Sequence, residues 1–596
     1  RLRLRNEWAG VSMAILYLLY PAQQHATVFD FHAVTFTASF LLFVLYFLYT
    51  RRTILLFVFA LLAMACKEEI AALIALCGLW SLLFQQRWRS GFALIVLAFG
   101  WTAAALVMLH LTSPSGFSLL SSRYAAIGSS PLQIMRTLLL HPGETLERYV
   151  LEHNHLFYLR LLLAPGGYLD LLAPWVLVLA LPTLAVNLLS ADVSMYSGLY
   201  QYNAEIVPFL LFACIEALVL LLWLTRHCLV LLGRRKWITQ TAQWGQSRLP
   251  TSSSQWLLQR RIHTGFLALL LLYIVGSALR AAYFHGNMPF SQGFQWPQAS
   301  THTALAQSFL GRIPSTASVS AQSALVPHLS HRTHIYLFPY AATTADYVLL
   351  DVTSDIYPFY SSSDYIRTVK QLLLSGTHNI VDAQDGYILL KHDVSAPGPS
   401  SSPVVPVGSV DPAMITPNLP DSFCSYIETP SRPIPHPVDV AFQRLHTASP
   451  TLGLRGFEID APNPFSMSTG TFSITTYWSV LRPVHVPLQI TILLIDKHGQ
   501  EYFVSTDVPS VFWCPTQTWK PGVIIRLQSR IISLQGLHFP LGPVHVAIAL
   551  VPLGQPTTNL MDIQVRRPIQ VLKSPPTITA TQETKALQLV PLTLVP

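Results

Sequence analysis

Residues 204–226 read Ala204-Glu205-Ile206-Val207-Pro208-Phe209-Leu210-Leu211-Phe212-Ala213-Cys214-Ile215-Glu216-Ala217-Leu218-Val219-Leu220-Leu221-Leu222-Trp223-Leu224-Thr225-Arg226. A helix needs about 20 apolar residues to cross a bilayer, and this run has that length. Runs at 31–50, 91–111 and 171–190 match it. Further runs lie at 8–21, 53–66, 70–84, 153–165 and 264–281. The pieces 53–66, 70–84 and 153–165 are short, the length of broken or re-entrant helices that line a cavity. The first run has the basic flank of a signal peptide, but a second span follows almost at once, which favours an anchor. Roughly nine hydrophobic segments over 1–283 thus predict a polytopic α-helical membrane bundle.

Composition agrees. The chain has 596 residues, 51% hydrophobic and 11% charged. Soluble domains carry about 25% charged residues, so a wholly soluble protein is excluded. Aromatic residues at 11% exclude a disordered one, and six cysteines exclude a disulfide-built scaffold. The formal charge of +8 reads as cytoplasmic loops rather than a nucleic-acid surface. The chain opens Arg1-Leu2-Arg3-Leu4-Arg5 without Met, which suggests that a further N-terminal segment precedes it.

Lys and Arg in short loops set orientation. Arg1, Arg3 and Arg5 precede the first run, Arg51 and Arg52 follow the second, and Arg87 and Arg89 follow 70–84. The loop 226–262 adds Arg226, Arg234, Arg235, Lys236, Arg248, Arg260 and Arg261 with no acidic residue. Alternating spans put these clusters together on the cytoplasmic side, provided that 53–84 breaks at its centre. The opposite side then receives Asp30 and His32, Lys67-Glu68-Glu69, the loop 112–152 with Arg123, and Tyr200-Gln201-Tyr202 with Glu205. Ionisable groups at membrane depth are costly and usually face a cavity.

From about 312 the composition becomes that of a soluble domain. Short apolar runs at 317–321, 335–338 and 347–351, a helix over 362–375 and a hairpin over 378–390 predict a small α/β domain at 312–393. Residues 394–420 read as a Pro/Ser-rich linker. Period-two alternation, as in Phe472-Ser473-Ile474-Thr475-Thr476-Tyr477-Trp478, predicts a β-sandwich over 421–570. The tail 571–596 shows no pattern and reads as disordered. Cys424 and Cys514 share this half and are a possible disulfide, whereas Cys66, Cys77, Cys214 and Cys228 read as packing.

Phe29-Asp30-Phe31-His32, Cys66-Lys67-Glu68-Glu69-Ile70-Ala71, Leu171-Leu172-Ala173-Pro174, Asn187-Leu188-Leu189-Ser190 and Tyr200-Gln201-Tyr202-Asn203-Ala204-Glu205 occur in that order. Together they resemble the bacterial polytopic family called domain of unknown function 2079, over about residues 8–390. That family is grouped with the GT-C glycosyltransferases, and the region 421–570 is similar to the jelly-roll appendage some of those carry. The resemblance implies an enzyme of the bacterial cell membrane that moves a sugar from a polyprenyl-phosphate donor to an extracytoplasmic glycan or protein acceptor. Its C-terminal domains would be extracytoplasmic. Three positions depart from the family pattern: Glu69 stands for Asp, Ala33 for Pro, and Gln201 for His. The principal acidic residue of such enzymes lies in a loop that would fall upstream of Arg1.

Sugar transfer requires a base for the acceptor hydroxyl, cations for the departing phosphate, and a site at lipid depth. On this reading Asp30, His32, Glu68 and Glu69 are the catalytic candidates, and Lys67, Arg123, Tyr200, Gln201 and Tyr202 the substrate-binding ones. A divalent cation is compatible with the carboxylates, although no dedicated metal site is assigned. Each group has a plainer reading. Lys67-Glu68-Glu69 could be a self-satisfied interfacial turn, Asp30 and His32 a helix cap, and Tyr200 and Tyr202 part of an aromatic belt. Glu216 either pairs with another helix or stays protonated. His328, His331 and His334 lie three apart, yet they bracket a polar loop with no carboxylate or Cys beside them. The alternatives from other classes are a transporter or lipid flippase, and a scaffold whose sandwich binds glycan.

Overall fold

The computed structural model describes the chain apart from residues 1–2, 30–31, 113–122, 125–126, 129, 235–251, 293, 295, 297–298, 360, 394–410, 430–432, 445–448, 462–464, 468–469, 535–538, 556–558, 574–578, 582–584 and 596. It divides into two compact units, Arg1–Pro297 and Gln298–Pro596.

The first unit is helical. Among the described residues three helices are long and apolar enough to cross a membrane: Trp88–Thr112, Gln201–Cys228 and Arg260–His285. Shorter apolar helices at Glu7–Leu18, Val34–Thr50, Thr53–Cys66 and Ile70–Gln85 surround them in sequence. The helix Val207–Arg234 is the centre of the unit, with Phe209, Ala213, Ala217 and Leu218 fully buried against its neighbours. Helices Ile70–Gln85 and Trp88–Thr112 pack closely through glycines. A Cβ on Gly78 would lie 2.7 Å from the Gly91 carbonyl oxygen, so only small residues permit this approach.

The run 171–190, expected as one span, is instead a series of short pieces. Leu169–Leu172 is a 3-10 turn, Pro174–Leu177 a single helical turn, Val178–Ala180 another 3-10 turn, and Leu181–Leu188 a short helix. Pro174 and Pro182 remove backbone donors where a continuous helix would need them, and each stands in the first turn of a new piece. Hydropathy does not register this, because proline interrupts backbone bonding without lowering the apolar content.

The second unit begins with helix Thr301–Gly311, started by a Ser300 capping box. It lies against a five-stranded sheet with the order β2-β1-β3-β5-β4. The strands are β1 (Val319–Ala321), β2 (Ile335–Leu337), β3 (Tyr347–Asp351), β4 (His378–Gln384) and β5 (Tyr387–His392). β1 runs parallel to β2 and β3, whereas β5 is antiparallel to β3 and β4. Helix Ser362–Leu374 carries Lys370, buried, whose Nζ donates to the carbonyls of Ala413 and Phe512 at 2.7 Å each. Part of the expected linker is therefore ordered: Pro412–Met414 forms a 3-10 turn with Ala413 buried. Residues 394–410 lie outside the described residues.

Two further sheets follow. With β7 (Pro437–Gln443), β8 (Pro450–Asp460), β9 (Phe465–Ser466), β10 (Thr471–Val480), β11 (Leu488–Asp496), β12 (Glu501–Ser505) and β14 (Ile532–Ser533), the first has the order β16-β7-β8-β10-β13-β6, with β14 on β10; the second has β12-β11-β15-β18-β17, with β9 on β18. The strands used below are β6 (Glu428–Thr429), β13 (Ile524–Gln528), β15 (Gly542–Pro552), β16 (Ile569–Lys573), β17 (Thr579–Thr581) and β18 (Ala586–Val595). Their inner faces share one core in which Phe442, Leu454 and Trp478 meet Ile490, Ile492 and Val546. This two-sheet arrangement is compatible with the expected sandwich. Cys424 and Cys514 form a disulfide across a sequence separation of 90 residues.

The tail read as disordered is corrected here, because β16, β17 and β18 fall within it or reach into it. β18 pairs with β15 from Gly542↔Leu594 to Ile548↔Leu587. Its pattern was hidden by a bulge. Leu587 and Leu589 are buried, then Leu592 and Leu594, and the change of parity falls where the register shifts between Val546 and Ala547. Pro591 sits beside that irregularity, where a strand tolerates proline.

His302, on the first turn of the Thr301–Gly311 helix, is held between two carboxylates. Its Nδ1 donates to Asp385 at 2.8 Å and its Nε2 approaches Asp351 at 3.2 Å, while its ring stacks on Tyr387. Burial works to lower its pKa, but the hydrogen bonds to Asp351 and Asp385 outweigh that and raise it to about 8. A folded-state pKa above the free value of about 6.5 stabilises the fold below that value and loses the effect as pH rises through 8. The second unit is thus expected to lose on the order of 1 kcal/mol between pH 6 and 9, after allowance for solvent screening. His302→Asn should remove the His302 share of that pH dependence in thermal melts; an unchanged slope would contradict the assignment.

Candidate functional site

Helix Thr53–Cys66 stops because Lys67 is extended, with φ −164° and ψ 140°. The next helix begins at Ile70, its first amides bonded to the carbonyls of Lys67, Glu68 and Glu69. The break therefore falls at the charged triplet, as the loop charges require. Glu69 precedes the new helix without a side-chain capping bond, because its carboxylate is taken by Lys67 Nζ. Lys67 also reaches Glu205 at 3.4 Å.

Glu205 is fully buried and lies just before helix Val207–Arg234. Its second oxygen accepts from Thr183 Oγ1 at 3.1 Å. The Tyr202 ring lies 5.6 Å from Lys67 Nζ and 6.0 Å from the Arg123 guanidinium, so both cations lie against the same aromatic ring. Tyr202 is positioned by a buried network. Asn187 donates to the Tyr202 carbonyl at 3.1 Å and to the Tyr158 hydroxyl at 2.9 Å, and Tyr158 donates to Asn203 at 2.5 Å. Arg123 is placed by its own backbone, whose carbonyl accepts from the Ala191 amide at 2.7 Å, and its side chain pairs with Asp192 at 3.6 Å. Glu68, Glu69 and Thr183 line a cavity of about 140 Å³ with Pro182 and Val186.

Lys67, Glu68, Glu69, Arg123 and Tyr202 thus gather at one place. Other expected site residues do not join it through the contacts described. His32 stacks on Phe29 at 5.7 Å, and Phe29 meets the edge of Tyr200 at 5.0 Å. Gln201 is turned inward, with its Oε1 buried and without a partner among the described residues. Asp30 lies outside the described residues.

Glu205, Thr183 and Asp192 complete the cluster, and sequence reasoning did not assign them to it. Glu205 had one visible signal, an acid at the mouth of a long apolar run. Glu216, about three helical turns further on, pairs with Arg3 at 2.8 and 2.9 Å and accepts from Tyr49 at 3.2 Å. That resolves its two readings in favour of a partner. Asp170, 1% exposed, has neither carboxylate oxygen hydrogen-bonded among the described residues.

The cluster sets two cations, Lys67 and Arg123, against the four carboxylates Glu68, Glu69, Glu205 and Asp192. Among the described residues no three of His, Cys, Asp and Glu gather in a way that could hold a metal ion. A partly exposed lysine whose counter-ion can exchange, next to a second cation and accessible carboxylates, can bind an anionic group and accept a proton.

Long apolar helices, with a charged cluster between two shorter ones and at the start of Val207–Arg234, are the build of a membrane protein. The chain belongs to the family DUF2079, predicted membrane protein, whose model matches residues 1–389. No curated protein and no solved structure matches it.

Proposed function

We propose that this is a polytopic protein of the bacterial cell membrane, GT-C-like in its helical unit, that transfers a sugar from a polyprenyl phosphate to an extracytoplasmic acceptor. The observation that carries this reading is the placement of Lys67 and Arg123 against the Tyr202 ring, with Glu69 paired to Lys67 and Glu68 on the same cavity as Glu69. The acceptor oxygen attacks the anomeric carbon, and the bond from that carbon to the phosphate oxygen breaks. The bonding pair leaves on the phosphate, which Lys67 and Arg123 hold. The acceptor proton passes to a carboxylate. Entry of the phosphate displaces Glu69 from Lys67, so donor binding itself releases that base. Glu68, exposed on the same cavity, is the alternative base.

The cavity is smaller than the roughly 300–1,000 Å³ usual for ligand sites. On this reading it takes the reacting end beside Glu68 and Glu69, while the phosphate lies outside it on Lys67 and Arg123. Orientation rests on the basic clusters sharing one side and on cysteine usage. The free cysteines Cys66, Cys77, Cys214 and Cys228 lie in the helical unit and the bonded pair in the other, as expected if the second unit faces an oxidising compartment. The second unit then supplies the extracytoplasmic α/β domain and the jelly-roll-like sandwich.

Retention of donor by the purified full-length protein tests the reading. Arg123→Gln should weaken it roughly tenfold, the worth of one charge-assisted contact. One observation favours a second reading, transport or lipid flipping: Asp170 is buried without a partner on the interrupted stretch 164–188, and transporters use such acids and such broken helices. Asp170→Asn leaves donor retention unchanged if the chain is a transferase.

A further inference from the structure

The second unit contains a polar groove that no part of the membrane chemistry uses. One cavity of about 610 Å³ is lined by His302, Asp385, Ser425, Glu428, Arg526 and Gln528, among others. A second, of about 630 Å³, shares Thr301, Tyr426, Glu428 and Arg526 with it and continues to Pro433 and Tyr477. Because the two share walls they form one groove, and each is of the size that small-molecule sites occupy.

Its walls are built by strand alternation. On β13, Ile525 and Leu527 point into the core, which sends Arg526 and Gln528 outward on one face, about 7 Å apart. Arg526 donates to Gln528 Oε1 at 3.0 Å. That bond does not use the Gln528 amide hydrogens or the remaining guanidinium hydrogens of these two lining residues. The opposite wall is the turn between β4 and β5, where Asp385 accepts from His302 at 2.8 Å and from Ser425 Oγ at 3.0 Å. Glu428, on β6, is paired in register with Ile525, so the carboxylate and the guanidinium come from adjacent strands.

Charges of both signs line it, Arg526, Arg530 and His302 together with Asp385 and Glu428. A nucleic acid or polyphosphate selects a surplus of cations, and a lipid tail or an amphipathic helix selects apolar walls. Neither is present. Planar hydrogen-bonding groups of both polarities, hydroxyls, and the rings of Tyr426 and Tyr477 suit a neutral ligand dense in hydroxyl groups.

We propose that this groove binds an oligosaccharide, gripped by Arg526, Gln528 and Glu428 on the sheet side and by the Asp385–His302 pair opposite. The proposal does not depend on the transferase reading. Where that reading holds, it makes the acceptor a glycan rather than a protein.

The test uses the full-length protein in a detergent without a sugar head group. The probes are linear hexasaccharides of glucose, mannose, galactose and N-acetylglucosamine, with a set of unmodified hexapeptides alongside. Wild type should bind at least one saccharide, and Arg526→Ala and Glu428→Gln should each weaken that binding roughly tenfold. Both side chains are exposed, so melting temperature should hold and separate loss of contact from loss of fold. Donor retention by Arg526→Ala should equal that of wild type, which keeps this outcome apart from failure of the transferase reading. Binding of none of the saccharides, binding by both variants equal to that of wild type, or preference for peptides overturns the proposal.

Discussion

Lys67→Met is expected to lower the stability of the helical unit by about 3–5 kcal/mol, the cost of leaving one partner of a buried pair uncompensated. Lys67 itself is about a quarter exposed, and the substitution removes its charge together with the side chain. The effect arises at Glu205, which is fully buried and meets Lys67 at 3.4 Å. Without the ammonium, Glu205 keeps its bond from Thr183 but loses the nearby positive charge. Glu69→Gln should cost under about 1 kcal/mol, because Glu69 is partly exposed and water replaces its partner. The double variant Lys67→Met/Glu205→Gln should recover most of the loss, since the stranded charge is gone. Buried free Cys77 and Cys214 allow a direct readout, through the temperature at which they become reactive to a thiol dye. Equal losses in Lys67→Met and Glu69→Gln, or no recovery in the double variant, would contradict the assignment.

Loss of the Cys424–Cys514 bond should have an effect of similar size in the second unit. The bridge closes a sequence separation of 90 residues, and a loop of about 100 residues is worth roughly 4.7 kcal/mol by chain entropy. It joins the 3-10 stretch Asp421–Ile427 to the end of the short helix Ser510–Trp513, beside buried Phe423 and Trp513. Cys514→Ser, or reduction of the wild type, should therefore cost about 4 kcal/mol and lower the melting temperature by roughly 10 °C. Trp478, Trp513 and Trp519 are all buried and report the transition by fluorescence. A change below about 1 kcal/mol would show that the unit folds without the constraint.

How far the sequence could be read varies by element, for physical reasons. The break at Lys67-Glu68-Glu69 was legible because a charged triplet inside apolar sequence must leave the bilayer core. The helix ends at Cys66 and Ile70 followed directly. The interruption of 171–190 was not legible in hydropathy, which does not count backbone donors. Glu205 lies 138 residues from Lys67, and no spacing rule joins residues on separate helices. The same holds for His302, Asp351 and Asp385, which three separate elements bring together. β18 was missed for a different reason: a bulge and Pro591 broke the alternation that would have shown it.

Native mass spectrometry of the full-length protein in mild detergent tests the central claim most directly. Wild type, Arg123→Gln and Asp170→Asn are compared for lipids that co-purify. The account predicts a polyprenyl-phosphate sugar on wild type and on Asp170→Asn, and roughly tenfold less on Arg123→Gln. Bulk phospholipid alone on all three proteins, with no polyprenyl species, would contradict it.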